Sequence, residues 1–263
     1  MGCATQKSDL VGLPYTGKFP VFVVAHWGFL GAVFENTMAA FKKAVDLGVD
    51  MIELDVHLSK DGQVVVIHDD TLNRTTNGKG KVANYTLNEL KQLDAGSWFG
   101  NQFSGEKIPT LKEVLELTRG QMLLNIELKI GELGQYTMMD LTDRSLQEVE
   151  KTGVSNQVIF ASFAPSAIDR IIGKNPKIPV ALIYNQSWTF PQEVTGGRSI
   201  PVLSCSGKVL TQTNISKTHQ RGMKIIAWTL NTEEHMQHFL NMGVDGIVTD
   251  YPDRLIKILQ KRY

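Results

Sequence analysis

The chain has 263 residues, 42% hydrophobic and 21% charged, with 27 Lys+Arg set against 27 Asp+Glu. Balanced charge leaves no basic field to draw the protein to nucleic acid or to an anionic membrane surface. No apolar run approaches the roughly 20 residues of a transmembrane helix, and Cys3 and Cys205, far apart in sequence, make neither a disulfide framework nor a metal-ligand cluster.

The start, MGCATQKSD, has three readings. Met1-Gly2 suits myristoylation, although Gln6 stands where Ser or Thr is preferred. Cys3, followed by small and polar residues, looks like the first residue of a mature bacterial lipoprotein, which would make it a lipid anchor. The third reading is an unmodified tail. Localisation therefore stays open between cytoplasmic and, with a lipidated Cys3, periplasmic or extracytoplasmic. Residues 1–19 are expected to be an N-terminal tail and 20–263 a single domain; nothing in the sequence speaks to oligomeric state.

Pro20 to Ala25 (PVFVVA) is a short apolar, β-branched run of the kind that forms a buried parallel strand, and it ends at His26-Trp27-Gly28. Asn36 or Thr37 can cap a helix whose stripe is Met38, Phe41, Ala44 and Val45, stopped by Gly48. In MIELDVHLSKDGQVVVIHDD (51–70), Ile52, Leu54 and Val56 alternate with Glu53 and Asp55, so both carboxylates share one face of a strand. Lys60-Asp61-Gly62 is a turn signal, and the second apolar run, Val64 to Ile67, ends at His68. An antiparallel hairpin about Lys60/Asp61 would put His68 opposite Glu53. Two carboxylates and an imidazole crowded on one spot call for a neutralising cation.

Thr71 to Pro109 breaks the strand–helix rhythm. It is polar, carries one short helix signal at Thr86 to Asp94, and holds Trp98, Phe99 and Phe103. A stretch of this length inside a compact domain reads as a lid or functional insertion, roughly 71–108. Thr110 opens the helix LKEVLELT, and in the strand LLNIELK the residues Asn125, Glu127 and Lys129 project to one side. Helices are then expected at Met138 to Thr152, Ser166 to Ile172, Ser216 to Arg221, Glu233 to Met242 and Pro252 to Gln260. They alternate with the strands VIFASF, VALIY, IPVLS, KIIAWTL and GVDGIVTD. Eight parallel strands with one antiparallel arm predict a TIM (β/α)8 barrel with a small insertion after the second-strand hairpin. An open doubly wound sheet is the alternative, but no glycine-rich fingerprint follows the first strand.

Active sites of such barrels lie at the C-terminal strand ends. Those ends are His26, Glu53 with Asp55, Glu127 with Lys129, Ser162-Phe163, Trp228 and Asp250, joined by His68. Three carboxylates from two strands, all hard oxygen donors, match Mg2+ or Ca2+ rather than zinc. Two histidines beside such an ion could act as general acid and base, and Lys129 could hold an anionic substrate. Each residue also has a structural counter-reading: a hydrogen-bonded histidine, a barrel-core ion network, a Lys129–Glu127 pair, plain packing of Phe163 and Trp228. Joint placement at strand ends favours phosphoryl chemistry.

These residues resemble the glycerophosphodiester phosphodiesterase family from Val23 to Ile258. The resemblance rests on AHWG with FENTMAAF, on IELDVHLSKDGQVVVIHDDTLNRTTNGKG, on LDAGSWF with GEKIPTLKEVL, and on NIELK, WTLN and GVDGIVTDYP. It implies a divalent metal on Glu53, Asp55 and Glu127, acid/base work by His26 and His68, and phosphate contact by Lys129. The implied substrate is a small-molecule glycerophosphodiester, cleaved to glycerol 3-phosphate and an alcohol, by water directly or through a cyclic phosphate.

In the family pattern arginine follows the first histidine; this chain has Trp27 there, and Phe34 in place of the usual proline before ENT. The arginine would grip phosphate bidentately, and its loss is worth roughly 2–4 kcal/mol, or about 30- to 1,000-fold in rate. Trp27, with Phe163 and Trp228, could instead stack on a choline-like headgroup. It could redirect the site to a lysophospholipid, a phospholipase D type of reaction, or mark a barrel that binds phosphodiesters and turns them over slowly.

Overall fold

The computed structural model describes residues 17–263, so the readings made for Cys3 and the start of the chain lie outside the described residues. The strands are β1 (Phe22–Ala25), β2 (Met51–Leu58), β3 (Val64–Val66), β4 (Leu123–Leu128), β5 (Val158–Ser162), β6 (Val180–Tyr184), β7 (Val202–Ser206), β8 (Lys224–Trp228) and β9 (Gly246–Thr249). Eight of them run parallel in the order β1-β9-β8-β7-β6-β5-β4-β2, and pairing of β1 with β2 closes the ring; β3 is an antiparallel arm on β2. The fold is a TIM barrel. Its strands are nearly continuous apolar runs because both faces are covered, one by the barrel interior and the other by helices.

The helices are α1 (Met38–Leu47), α2 (Leu87–Leu90), α3 (Leu111–Thr118), α4 (Met138–Thr152), α5 (Pro165–Lys174), α6 (Pro191–Thr195), α7 (Gln212–His219), α8 (Glu233–Met242) and α9 (Pro252–Arg262). Their ends follow capping chemistry. Thr37, Thr110 and Thr137 each accept an N–H from the first helical turn. Gly48 closes α1 in the left-handed conformation that costs glycine no side-chain clash. Of the two candidate caps for α1, Thr37 is the one used; Asn36 has a left-handed φ of 53° and turns its side chain elsewhere.

Inside the ring, Phe22, Val24, Met51, Leu123, Ile159, Ala181, Val202, Ile226 and Val248 make a closed apolar plug. Side chains alternate along a strand, so the next inward positions are fixed by parity: Glu53 and Asp55 after Met51, Asn125 and Glu127 after Leu123, His26 after Val24, Trp228 after Ile226. The apolar plug thus becomes the floor of a polar chamber at the C-terminal mouth. The segment between β3 and α3 keeps a small core of its own, with Leu72, Val82, Leu90, Ala95 and Ile108 packed on Val65 and Ile67.

Several sequence expectations are corrected. The hairpin register is Val56 with Val66 and Leu58 with Val64, one residue off the expected pairing, because the chain reverses through Ser59–Gln63 with Gly62 at φ 76°. A one-residue slip exchanges the faces of a strand, so continued pairing would set His68 against Leu54 and not Glu53. The ladder instead stops: Ile67 N–H still donates to the Asp55 carbonyl at 3.1 Å, and a bend at His68 brings its ring to the chamber. The expected helix at Thr86 to Asp94 shrinks to the single turn α2. The helix expected at Ser216 to Arg221 is α7, which starts at Gln212 behind a Thr211–Asn214 capping box. The five-residue α6, opened by Pro191, was not expected.

Candidate active site

The chamber is a cavity of about 320 Å3 lined by His26, Trp27, Glu53, Asp55, His68, Asn125, Glu127, Lys129, Phe163, Ile183, Ser204, Trp228, Thr229 and Val248. Nine of the residues singled out from the sequence meet there: both histidines, the three carboxylates, Lys129, and the aromatic group Trp27, Phe163 and Trp228. Ser162 does not line it; its hydroxyl donates to the Leu128 carbonyl at 2.8 Å. Cys205 is buried in the core away from it, and burial pushes its thiol up to about 12, as expected of a packing residue.

Glu53, Asp55 and Glu127 each offer an oxygen within 4.8 Å of the others. Burial, then repulsion from Asp55 and Glu127, raises the Glu53 carboxyl well above its ordinary value, and burial with Asp55 pushes Glu127 up to about 7. Lys129 partly offsets this crowding, with Nζ 3.0 Å from Glu127 Oε1 and 3.4 Å from Asp55 Oδ1. Burial works against its charge, but Asp55 and Glu127 outweigh that and hold its pKa above the usual lysine value. Asp55 Oδ1 and Glu127 Oε1 are buried and accept no well-formed hydrogen bond, and neither does the neighbouring Asn125 Oδ1. Unpaired buried oxygens are costly, and an all-oxygen set of this kind fits a hard divalent cation. Asn36, absent from the sequence reading as a site residue, donates from Nδ2 to Asp55 Oδ2 at 2.9 Å and so turns Oδ1 toward the cluster.

The two imidazoles share one construction. His26 Nδ1 lies 2.6 Å from Asp250 Oδ1, and Asp250 Oδ2 in turn accepts from Asn231 Nδ2 at 2.6 Å. His68 Nδ1 lies 2.7 Å from Asp69 Oδ1. Each Nδ1 therefore faces a carboxylate, which leaves Nε2 for the chamber, where His26 Nε2 is 3.9 Å from Glu53 Oε2. Asp250 is legible in the sequence as a strand end and no more; its pairing with His26 spans the barrel closure between β1 and β9 and has no local signature. Asp69, adjacent to His68, could have been read from the His-Asp dipeptide.

Trp27 sits between them. Its ring stacks on His26 (centroids 4.0 Å apart, planes 25°) and tilts against His68 (4.7 Å, 58°), and its backbone N–H donates to Glu53 Oε2 at 3.2 Å. Its φ of 53° is a left-handed value that non-glycine residues adopt only when surroundings demand it. On the far wall Phe163 and Trp228 meet edge to face at 6.1 Å.

A barrel whose mouth holds a buried acidic triad, a lysine and two carboxylate-backed imidazoles has the equipment of a hydrolase acting on phosphate esters. Residues 26–254 match the Glycerophosphoryl diester phosphodiesterase family. A glycerophosphodiester phosphodiesterase of Caldanaerobacter subterraneus subsp. tengcongensis is 38% identical over 240 residues, covering 91% of this chain and 98% of its own length. A phosphodiesterase of Oleispira antarctica, solved in complex with the product sn-glycerol-3-phosphate, superposes with a TM-score of 0.84 at 32% identity, covering 90% of this chain and 96% of that one. The human lysophospholipase D GDPD1 is 30% identical over 269 residues, 88% of this chain and 84% of its own. The chain belongs to the glycerophosphodiester phosphodiesterase family and is a phosphoric diester hydrolase.

Proposed function

We propose that the protein hydrolyses glycerophosphodiesters to glycerol 3-phosphate and an alcohol, using Mg2+ or Ca2+ and a pair of histidines. The observation that carries this reading is the arrangement of His26 and His68, each with Nδ1 on a carboxylate, around the triad of Glu53, Asp55 and Glu127. The triad would hold the cation, which when bound supplies Lewis-acid stabilisation of charge on the phosphoryl oxygens. Lys129 would hold a non-bridging oxygen as a point charge. One imidazole Nε2 takes the proton from the attacking oxygen, either water directly or a glycerol hydroxyl whose cyclic phosphate water then opens, and the other gives one to the departing alcohol oxygen; Asp250 and Asp69 hold the rings for that exchange. The test is release of glycerol 3-phosphate from glycerophosphocholine, coupled to glycerol-3-phosphate dehydrogenase. Release no greater than from a His26→Ala, His68→Ala double variant would remove the reading.

A second reading is supported by the wall of Trp27, Phe163, Trp228, Ile183 and Val248, which suits a bulkier, more apolar diester such as a lysophospholipid. Choline release from lysophosphatidylcholine but not from glycerophosphocholine would favour it. Trp27→Arg separates the two. If the indole merely leaves the phosphate short of a donor, arginine should raise kcat/KM on glycerophosphocholine at least about tenfold, a fraction of what one charge-assisted contact to a developing phosphorane is worth. An unchanged or lower rate would show a chamber adapted to the indole, consistent with its stacking on both imidazoles.

A further inference from the structure

His68 is the less enclosed of the two imidazoles, its side chain 33% exposed against 17% for His26. One face of its ring meets Trp27 at 4.7 Å, and β3 has already ended two residues earlier. Its polar partner is Asp69, and Asp69 is itself held. Arg74, in the first turn of the insertion, donates from Nε to Asp69 Oδ2 at 2.8 Å and from Nη2 to Asp69 Oδ1 at 3.0 Å. The same guanidinium makes a second fork to Glu35, Nη1 to Oε2 and Nη2 to Oε1, both at 2.6 Å. Glu35 lies in the β1–α1 connection beside Asn36, and its side chain is 4% exposed. A carboxylate that deep is stable only with a cation on it, so Glu35 fixes the position of Arg74, and Arg74 fixes the plane of Asp69. Arg74 accordingly holds the Asp69 carboxyl down to about 2, with the hydrogen bond to His68 adding to it. An ionised carboxylate can only accept, so the proton of a neutral His68 sits on Nδ1 and the lone pair on Nε2.

We infer that Arg74 is a positioning residue for the reaction: by bridging buried Glu35 to Asp69 it sets the tautomer and orientation of His68. This rests on the diesterase reading only in making His68 one of the two groups that move protons; the tautomer itself does not depend on turnover. A lysine in the same place is a single point charge and cannot form both forks. Arg74→Lys keeps the charge Glu35 needs, which protects the fold.

The experiment measures choline released from glycerophosphocholine, followed by mass spectrometry over hours, for Arg74→Lys in the native chain and in a His68→Gln background. The expected result is a fall in kcat of about 10- to 100-fold with KM within twofold in the native chain, the size typical of outer-shell partners. In the His68→Gln background the same change should cost less than twofold, because the group it acts through is gone. An equal loss in both backgrounds, a loss carried by KM, or no loss would overturn the inference. Nitrogen-15 NMR of the His68 ring, assigned by its absence in His68→Gln, tests the same point without turnover. Nδ1 protonation in the native protein should give way to mixed tautomers in Arg74→Lys, and its full retention would contradict the inference. A native protein that releases no choline while its His68 responds in this way would count against the diesterase reading alone.

Discussion

Replacing either His26 or His68 by glutamine is expected to lower kcat by about 10²- to 10⁴-fold with little change in KM, the range for removing a positioned general acid or base. Glutamine keeps a polar group near the carboxylate that each ring faces, so the fold should survive and the loss should be chemical. The two losses should also fail to multiply. Proton removal and proton donation serve one displacement, and once either is gone the rest of the rate comes from binding and charge stabilisation. The coupled glycerol 3-phosphate assay reads both singles and the double. A single variant within about fivefold of the native rate would take that histidine out of the chemistry.

The other large effect concerns the acidic triad. Glu53 and Glu127 are both raised in the folded chain, chiefly by burial, and Glu127 stands at about 7 against an ordinary 4.5. A carboxyl raised on folding binds its proton more tightly in the native state. Its contribution is complete below about pH 4.5 and is lost as pH climbs through about 7. The metal-free protein should therefore melt at lower temperature at pH 8 than at pH 5.5, by an amount corresponding to a few kcal/mol. Glu127→Gln should flatten that slope and melt several degrees higher than the native chain at pH 8, while losing at least about 100-fold in activity. Millimolar Mg2+ or Ca2+ should raise the melting temperature of the native protein more at pH 8 than at pH 5.5, and that of Glu127→Gln much less. A flat pH profile for the native metal-free protein would contradict the crowding seen between these side chains. More stable and less active is the expected signature of a site that keeps three acids together for function.

How far the sequence reached is a matter of distance along the chain. The strand and helix order was legible because each strand is a local apolar run and most helices carry a local end signal, a threonine cap as at Thr37, Thr110 and Thr137 or a left-handed glycine as at Gly48, Gly153 and Gly243. The bounds expected for α4, at Met138 and Thr152, and for α8, at Glu233 and Met242, are those observed. The short α6 was invisible, since five residues behind Pro191 carry no period. The hairpin register failed by one residue because the Ser59–Gln63 reversal depends on backbone geometry at Gly62, which composition does not specify. In the site, parity alone carried Glu53, Asp55, Asn125, Glu127 and Lys129 to one chamber. Of the groups that aim the two histidines, only Asp69, next to His68, was within local reach. Asp250 meets His26 across 224 residues and Arg74 meets Glu35 across 39, so each pairing exists only once the barrel has closed. Trp27 stands out in the sequence as a departure from the family pattern, but nothing there announces that its ring lies between the two imidazoles.

The most direct test of a cation-assisted diesterase is glycerol 3-phosphate release from glycerophosphocholine by protein stripped with a chelator and then titrated with Mg2+ or Ca2+. Stripped protein should be at background and should recover with either ion in a saturable way, and Asp55→Asn should not recover at any ion concentration. Release that persists undiminished after stripping, or that Asp55→Asn matches, would contradict the role given to the triad.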